Sequence, residues 1–278
     1  FIICYQVTHW ILDMERIKEA LEKARQERQI RQGSDTVTPQ GTPRQDAGET
    51  GAIQTQTISV DDALLRENRI VTGLEPGPFT DANNLLRTQV LQRFKENNWN
   101  VLAVTSPGEG EGKTLTAINL AISIAREVDY TVLLVDANLR HPWMLEHMGL
   151  AHRKGLSDYL TDDTPISELL IKPSRVEHLV ILPGGRPLLN SAEMLNSPKM
   201  AQLVKDMKSR YHSRIIIFDL PPVLTSADAL AFSPYVDAAL LVIEEGVTQK
   251  HEVERAVDLL STTNIIGTVL NKAELKSA

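Results

Sequence analysis

The 278 residues carry 29 Lys and Arg against 36 Asp and Glu, a net charge of -7, with 42% hydrophobic and 23% charged side chains. This is the composition of a soluble globular chain with one sizeable domain and extensions. The acidic balance excludes the basic footprint that nucleic-acid binding leaves, so no nucleic-acid partner is expected. A single cysteine, Cys4, allows no intramolecular disulfide and points to a reducing, cytoplasmic compartment.

The chain opens at Phe1 with an apolar run over residues 1–12. That run is shorter than the roughly 20 residues a membrane helix needs. It also lacks the basic start and small-residue cleavage site of a signal peptide. Met14 reads as the natural start. Residues 14–32 contain no Gly or Pro, and Glu15, Lys18, Glu19, Glu22 and Lys23 are spaced for ion pairs on a helix surface, so a charged helix is expected in an extension over 1–32. Residues 33–60 are rich in Gly, Thr, Gln, Pro and Ser and residues 61–78 are transitional, so 33–78 reads as a flexible linker that stops at Glu75-Pro76-Gly77-Pro78.

The ordered domain is expected over 79–278. Apolar strands at Val101–Thr105, Thr131–Asp136, Leu179–Leu182, Arg214–Asp219, Ala238–Glu244 and Ile265–Leu270 alternate with helical stretches at Thr114–Glu127, Pro198–Tyr211 and Gln249–Ser261. Continuous β-branched runs between helices predict an α/β fold, a doubly wound and mainly parallel sheet with helices on both faces.

After the first of these strands comes SPGEGEGKT, Ser106–Thr114, at the opening of a helix. Glycines let backbone N–H groups wrap phosphate oxygens, and the helix start adds partial positive charge. Gly108, Glu109, Gly110, Glu111, Gly112, Lys113, Thr114 and Leu115 are the candidate nucleotide-binding residues. Lys113 is placed to reach the β- and γ-phosphates, and the Thr114 hydroxyl to ligate magnesium. Pro107 stands where the general phosphate-loop pattern has its first glycine. The alternating Gly108, Gly110 and Gly112 do not follow the dinucleotide-binding pattern, which also lacks the Lys-Thr pair.

A metal-nucleotide site also needs carboxylates, and in an open parallel sheet they belong at the strand ends. Asp136 ends the strand in VLLVDANLRHP, and Asp219 ends the strand in RIIIFDLPPVL. With the loop they predict a Mg-ATP site. Thr114, Asp136 and Asp219 are the candidate metal ligands, and Lys113, Asp136 and Asp219 the candidate catalytic residues.

This combination resembles the bacterial tyrosine kinases and related cytoplasmic ATPases of polysaccharide chain-length control, over about residues 79–272. The resemblance is carried by SPGEGEGKT (Walker A), VDANLRHP at Val135–Pro142 (Walker A′) and IIIFDLPPVL at Ile215–Leu224 (Walker B). Supporting stretches are LLRTQV at Leu85–Val90, GLSDYL at Gly155–Leu160, LPGGRPLLNSAEML at Leu182–Leu195 and SADAL at Ser226–Leu230. It implies Mg-ATP at the strand ends, phosphoryl transfer to tyrosine, a homo-oligomer, and a membrane-embedded chain-length regulator that holds the protein at the inner face of the membrane. It further implies that Lys113 holds phosphates, that Asp136 binds metal or orients the attacking oxygen, and that Asp219 completes the metal site.

Three positions depart from the family pattern. The A′ motif usually reads D-x-D, and its second position here is Asn138. The residues from Asn271 to Ala278 contain no tyrosine, and Tyr5, Tyr130, Tyr159, Tyr211 and Tyr235 form no cluster. The oligomerisation pattern E-x-x-R-x-x-R appears as Asp81, Asn84 and Arg87. Two other readings remain open: a nucleotide-binding regulatory subunit with little catalysis of its own, and a partitioning-type ATPase. The second is disfavoured because its signature lysine would fall at Gly108. His9, His141, His147, His152, His178, His212 and His251 show no metal spacing and read as surface or structural residues. Trp99 and Trp143 read as packing near the site, Glu193 as a helix-start carboxylate or a family position, and Asn271-Lys272 as neighbours of the adenine.

Overall fold

The structure is a computed structural model that describes residues 3–5, 55–70, 77–210 and 214–273, all of which fall in one compact unit. The helix expected over 14–32, together with residues 33–54 and 71–76 of the expected linker, lies outside the described residues.

In chain order the strands are β1 (Ile3–Tyr5), β2 (Gln56–Ile58), β3 (Val101–Thr105), β4 (Thr131–Asp136), β5 (Ile171–Pro173), β6 (Leu179–Leu182), β7 (Arg214–Asp219), β8 (Ala238–Glu244) and β9 (Asn264–Asn271). The helices are α1 (Asp62–Glu67), α2 (Pro78–Asn97), α3 (Lys113–Ala125), α4 (Met144–His147), α5 (Leu156–Asp162), α6 (Ile166–Leu169), α7 (Ser191–Leu195), α8 (Pro198–Arg210), α9 (Asp228–Phe232) and α10 (Lys250–Leu259). All six strands predicted from the sequence are present, and the predicted helix ends fall within two residues of the observed ones.

The strands form one sheet in the order β1-β9-β8-β3-β7-β4-β6-β5-β2. Pairing from β9 through to β6 is parallel, while β1 with β9 and β5 with β6 are antiparallel. Alternation along each strand divides the core in two. Leu102, Val104, Leu134 and Ile217 pack under α2 and α3, while Val101, Ala103, Val135 and Phe218 pack under α8, α9 and α10. Phe218 and Phe232 meet at 4.6 Å between ring centroids on the second face. Strands buried on both faces have no polar side, which is why they read as continuous apolar runs.

The sheet order positions the site. β3 and β4 are consecutive strands, yet β7 lies between them, and β8 lies on the far side of β3. The loops after β3, β4 and β7 therefore converge at the C-terminal edge where the order reverses, the usual ligand crevice of such sheets.

The expected linker needs correction over 55–70. β2 pairs in parallel with β5, with Gln56 beside Ile171. Asp61 caps α1 by accepting the Ala63 N–H at 2.8 Å. Val60, Leu65 and Ile70 are buried in the first core. Gly149, at φ +69, leaves room for the Leu64 side chain, which an added Cβ would meet at 2.0 Å. Only a few apolar residues do this packing, too few to produce a readable period. Trp99 also needs correction. It packs edge-on against Phe94 just before β3 begins, at the opposite end of that strand from the phosphate loop.

Truncating Leu65 to Ala leaves a cavity under α1, and a loss of about 2–4 kcal/mol is expected in urea denaturation. A change below about 0.5 kcal/mol would show that the 55–70 segment is not part of the folded unit.

Candidate nucleotide site

The loop from Ser106 to Gly112 leaves β3 and enters α3. Its entry is tied to the chain after β7: Thr105 Oγ1 donates to the Pro221 carbonyl at 2.8 Å, Val223 N–H to Ser106 O at 2.8 Å, and Leu224 N–H to Pro107 O at 3.2 Å. A proline is accommodated at 107 because its carbonyl, not the N–H it lacks, makes the contact. Gly112 has φ +92, and a Cβ there would lie 1.9 Å from Asn271 Nδ2. Asn271 Nδ2 donates to Glu111 O at 2.9 Å. Asn271 thus packs on the loop, while Lys272 pairs with Glu244 at 2.8 Å.

Glu109, Gly110, Gly112, Lys113, Thr114 and Leu115 line a cavity of about 590 Å³. Gly108 and Glu111 stand outside that lining, because the Gly108 N–H donates to the Glu111 carboxylate at 2.8 Å. The opposite wall is Asn138, Arg140, His141, Trp143 and His147, with Pro221, Pro222, Thr225 and Ser226. His141 and His147 are thus at the site, contrary to the sequence reading. Their signal was position in the segment that follows Asp136, five and eleven residues on, not any spacing between histidines. Trp143 is 60% exposed at the rim, with its ring 5.8 Å from that of His141. Glu193 is exposed in the first turn of α7 and is not part of the cavity.

Beneath the loop, Asp136 and Asp219 are direct cross-strand neighbours at the ends of β4 and β7, only 1% and 0% exposed. Asp136 accepts the N–H groups of Asn138 at 3.2 Å and Met144 at 3.3 Å. Asp219 Oδ2 accepts the Thr114 hydroxyl at 2.7 Å. Burial pushes the Asp136 carboxyl well above the usual carboxylate range, and Asp219 adds to this, while the two N–H groups and Lys113 oppose it. Burial also raises Asp219, against the pull of Lys113, Thr114 and His147. Asp219 Oδ1 and Asn138 Oδ1 are buried with no partner. Arg140 is anchored by Nε to Asp228 Oδ2 at 2.9 Å.

Unpaired buried oxygens beside a hydroxyl are the donor set of a hard divalent cation, which takes oxygen ligands. The Thr114, Asp219 and Asn138 oxygens fit magnesium on that ground, with Asp136 adjoining. Among the described residues no cluster of three His, Cys, Asp or Glu side chains forms a separate metal site.

The AAA domain family matches residues 99–273. Tyrosine-protein kinase YwqD of Bacillus subtilis is 31% identical over 221 residues, covering 76% of this chain and 92% of that protein. The chain belongs to the bacterial tyrosine kinase family. The kinase CpsD of Streptococcus agalactiae is 30% identical over 192 residues, 68% of this chain and 81% of its own length. Among solved structures, the kinase domain of VpsO superposes with a TM-score of 0.62 at 29% identity, covering 69% of this chain and 93% of that one. The division protein MinD of Pyrococcus horikoshii, at 22% identity and TM-score 0.51, shares the fold. The family is one of P-loop nucleotide-binding enzymes.

Two predictions test the site of this family member. Gly112→Ala forces an L residue to φ +92 and into Asn271, and nucleotide affinity is expected to fall at least about tenfold by calorimetric titration. The second concerns pH. Because Asp136 and Asp219 are raised on folding, the folded chain holds more protons than the unfolded one above the ordinary Asp value of about 4. Stability without metal is therefore expected to fall as pH rises from there through the raised values. Asp219→Asn is expected to flatten that fall in melting curves recorded across pH.

Proposed function

We propose that this chain is a Mg-ATP-dependent enzyme of the tyrosine-kinase type that serves exopolysaccharide or capsule assembly. The observation that carries the reading is the array of Thr114, Asp219, Asp136 and Asn138 under the phosphate loop, with two oxygens left for a cation. Magnesium, when bound, neutralises phosphate charge and polarises the transferred group. Lys113 would contact the β- and γ-phosphates, and the backbone N–H groups of Gly110, Gly112 and Lys113 would cradle them. Thr114 and Asp219 would hold the metal. Asp136, held by two backbone N–H groups, would help hold the metal or orient the attacking hydroxyl. Arg140, fixed by Asp228, supplies a cationic wall.

The polysaccharide role is supported by relatives such as the succinoglycan biosynthesis transport protein ExoP of Rhizobium meliloti, 29% identical over 234 residues. A membrane-embedded chain-length regulator would be the partner and would place the protein at the inner face of the membrane. No described helix is long and apolar enough to cross a membrane. The catalytic domain would begin before residue 79, since 55–70 packs into the same core. Self-association would involve α2, where Arg87 contacts Asn84 at 3.3 Å and Glu127 at 3.1 Å within the chain.

A second reading, a nucleotide-binding subunit with weak catalysis, is favoured by Asn138. Its amide oxygen can ligate a cation but carries no charge and cannot act as a base. With radiolabelled ATP, Lys113→Met is expected to lower hydrolysis and phosphotransfer about 100-fold or more. No activity in the parent, with or without its membrane partner, would defeat the enzyme reading. Asn138→Asp separates the two readings. If it creates phosphotransfer in a silent parent, the parent acts as a nucleotide switch.

A further inference from the structure

Glu111 is the one loop carboxylate that is buried, at 4% exposure, and it faces away from the cavity its neighbours line. An anion inside a loop built to hold phosphates is unfavourable unless its own contacts repay it. Both of its oxygens are engaged: Oε2 accepts the Gly108 N–H at 2.8 Å, and Oε1 accepts the Thr248 hydroxyl. Thr248 lies 137 residues away, in the turn between β8 and α10. Its oxygen also accepts the Glu244 N–H at 2.8 Å, which fixes the hydroxyl proton toward Glu111. Burial raises the Glu111 carboxyl, and the Thr248, Gly108 and Ser106 bonds oppose that rise.

The Gly108 N–H is thereby withdrawn from any ligand. Its engagement closes a tight turn inside the loop, reinforced by Ser106 Oγ donating to Gly108 O at 2.6 Å. The turn sets the direction of the Gly110 and Gly112 backbone, which does line the cavity. With Asn271 gripping the Glu111 carbonyl, two residues from the β8 and β9 flank of β3 hold the loop in shape before any nucleotide arrives.

We infer that Glu111 and Thr248 are positioning residues for nucleotide affinity: the Thr248 hydroxyl, acting through the Glu111 carboxylate, preorganises the phosphate loop without touching the nucleotide. The inference rests on the nucleotide-binding reading above. A hydrogen bond to a buried charged acceptor is among the stronger ones in a fold, and leaving that acceptor unpaired costs more than the bond itself. Preorganisation acts on binding, so its loss raises the dissociation constant while the chemical step is unchanged.

The test uses the full chain with ADP and magnesium in calorimetric titration, and with ATP in steady-state hydrolysis. Thr248→Val keeps the shape and deletes the hydroxyl. It is expected to weaken ADP binding about tenfold and to raise KM equally at unchanged kcat. Thr248→Ser, which restores the donor in a smaller side chain, is expected to bind as the parent does. Parent-like affinity in Thr248→Val overturns the inference, as does a lowered melting temperature with affinity unchanged, or equal weakening in Val and Ser. A parent that binds no ADP overturns the proposed function and this inference with it.

Discussion

Two carboxylates, Asp136 and Asp219, end adjacent parallel strands in direct register and are closed off from water. Such a pair is unfavourable when both groups are ionised, since burial and mutual repulsion act in the same direction. Much of what surrounds it offsets that cost. Two N–H groups from the turn after β4 serve Asp136, the Thr114 hydroxyl serves Asp219, and Lys113 stands near both. The remaining demand is for a cation. On the proposed function, a nucleotide that brings a divalent ion would meet that demand.

The sheet order makes the pair possible. With β7 between β3 and β4, the loop after β3 folds over the ends of both acidic strands. Bonds from Thr105, Val223 and Leu224 join the loop's entry to the chain after β7, and Asn271 and Thr248 reach its tip from β9 and from the turn after β8. The phosphate loop is held from both flanks by residues far away in sequence, and its glycines act within that frame.

The central strands were legible because each is an unbroken apolar run. The Asp at the end of two of them, beside Gly112-Lys113-Thr114, was legible because strand-end carboxylates and a Gly-Lys-Thr helix start have few other common uses. What could not be read were contacts that depend on distant residues. Thr248 and Asn271 carry no local pattern, and their roles appear only when β8 and β9 lie beside β3. His141 and His147 reach the cavity because the turn after β4 bends back toward the loop. The 55–70 segment was hidden for another reason. Its buried residues Val60, Leu65 and Ile70 are spaced across a strand end, a helix and a turn, so no single period connects them.

That segment bears on where the catalytic body can be cut. Asn68 Nδ2 donates to the His147 carbonyl at 2.8 Å, and Asn119 Nδ2 to the Arg69 carbonyl at 3.1 Å. His147 belongs to the cavity wall and Asn119 to the helix that begins at Lys113. A fragment trimmed at the apparent boundary near residue 79 would keep every sequence motif while stripping the outer brace from that wall. A fragment that keeps this brace would therefore include β2 and α1, ahead of every motif.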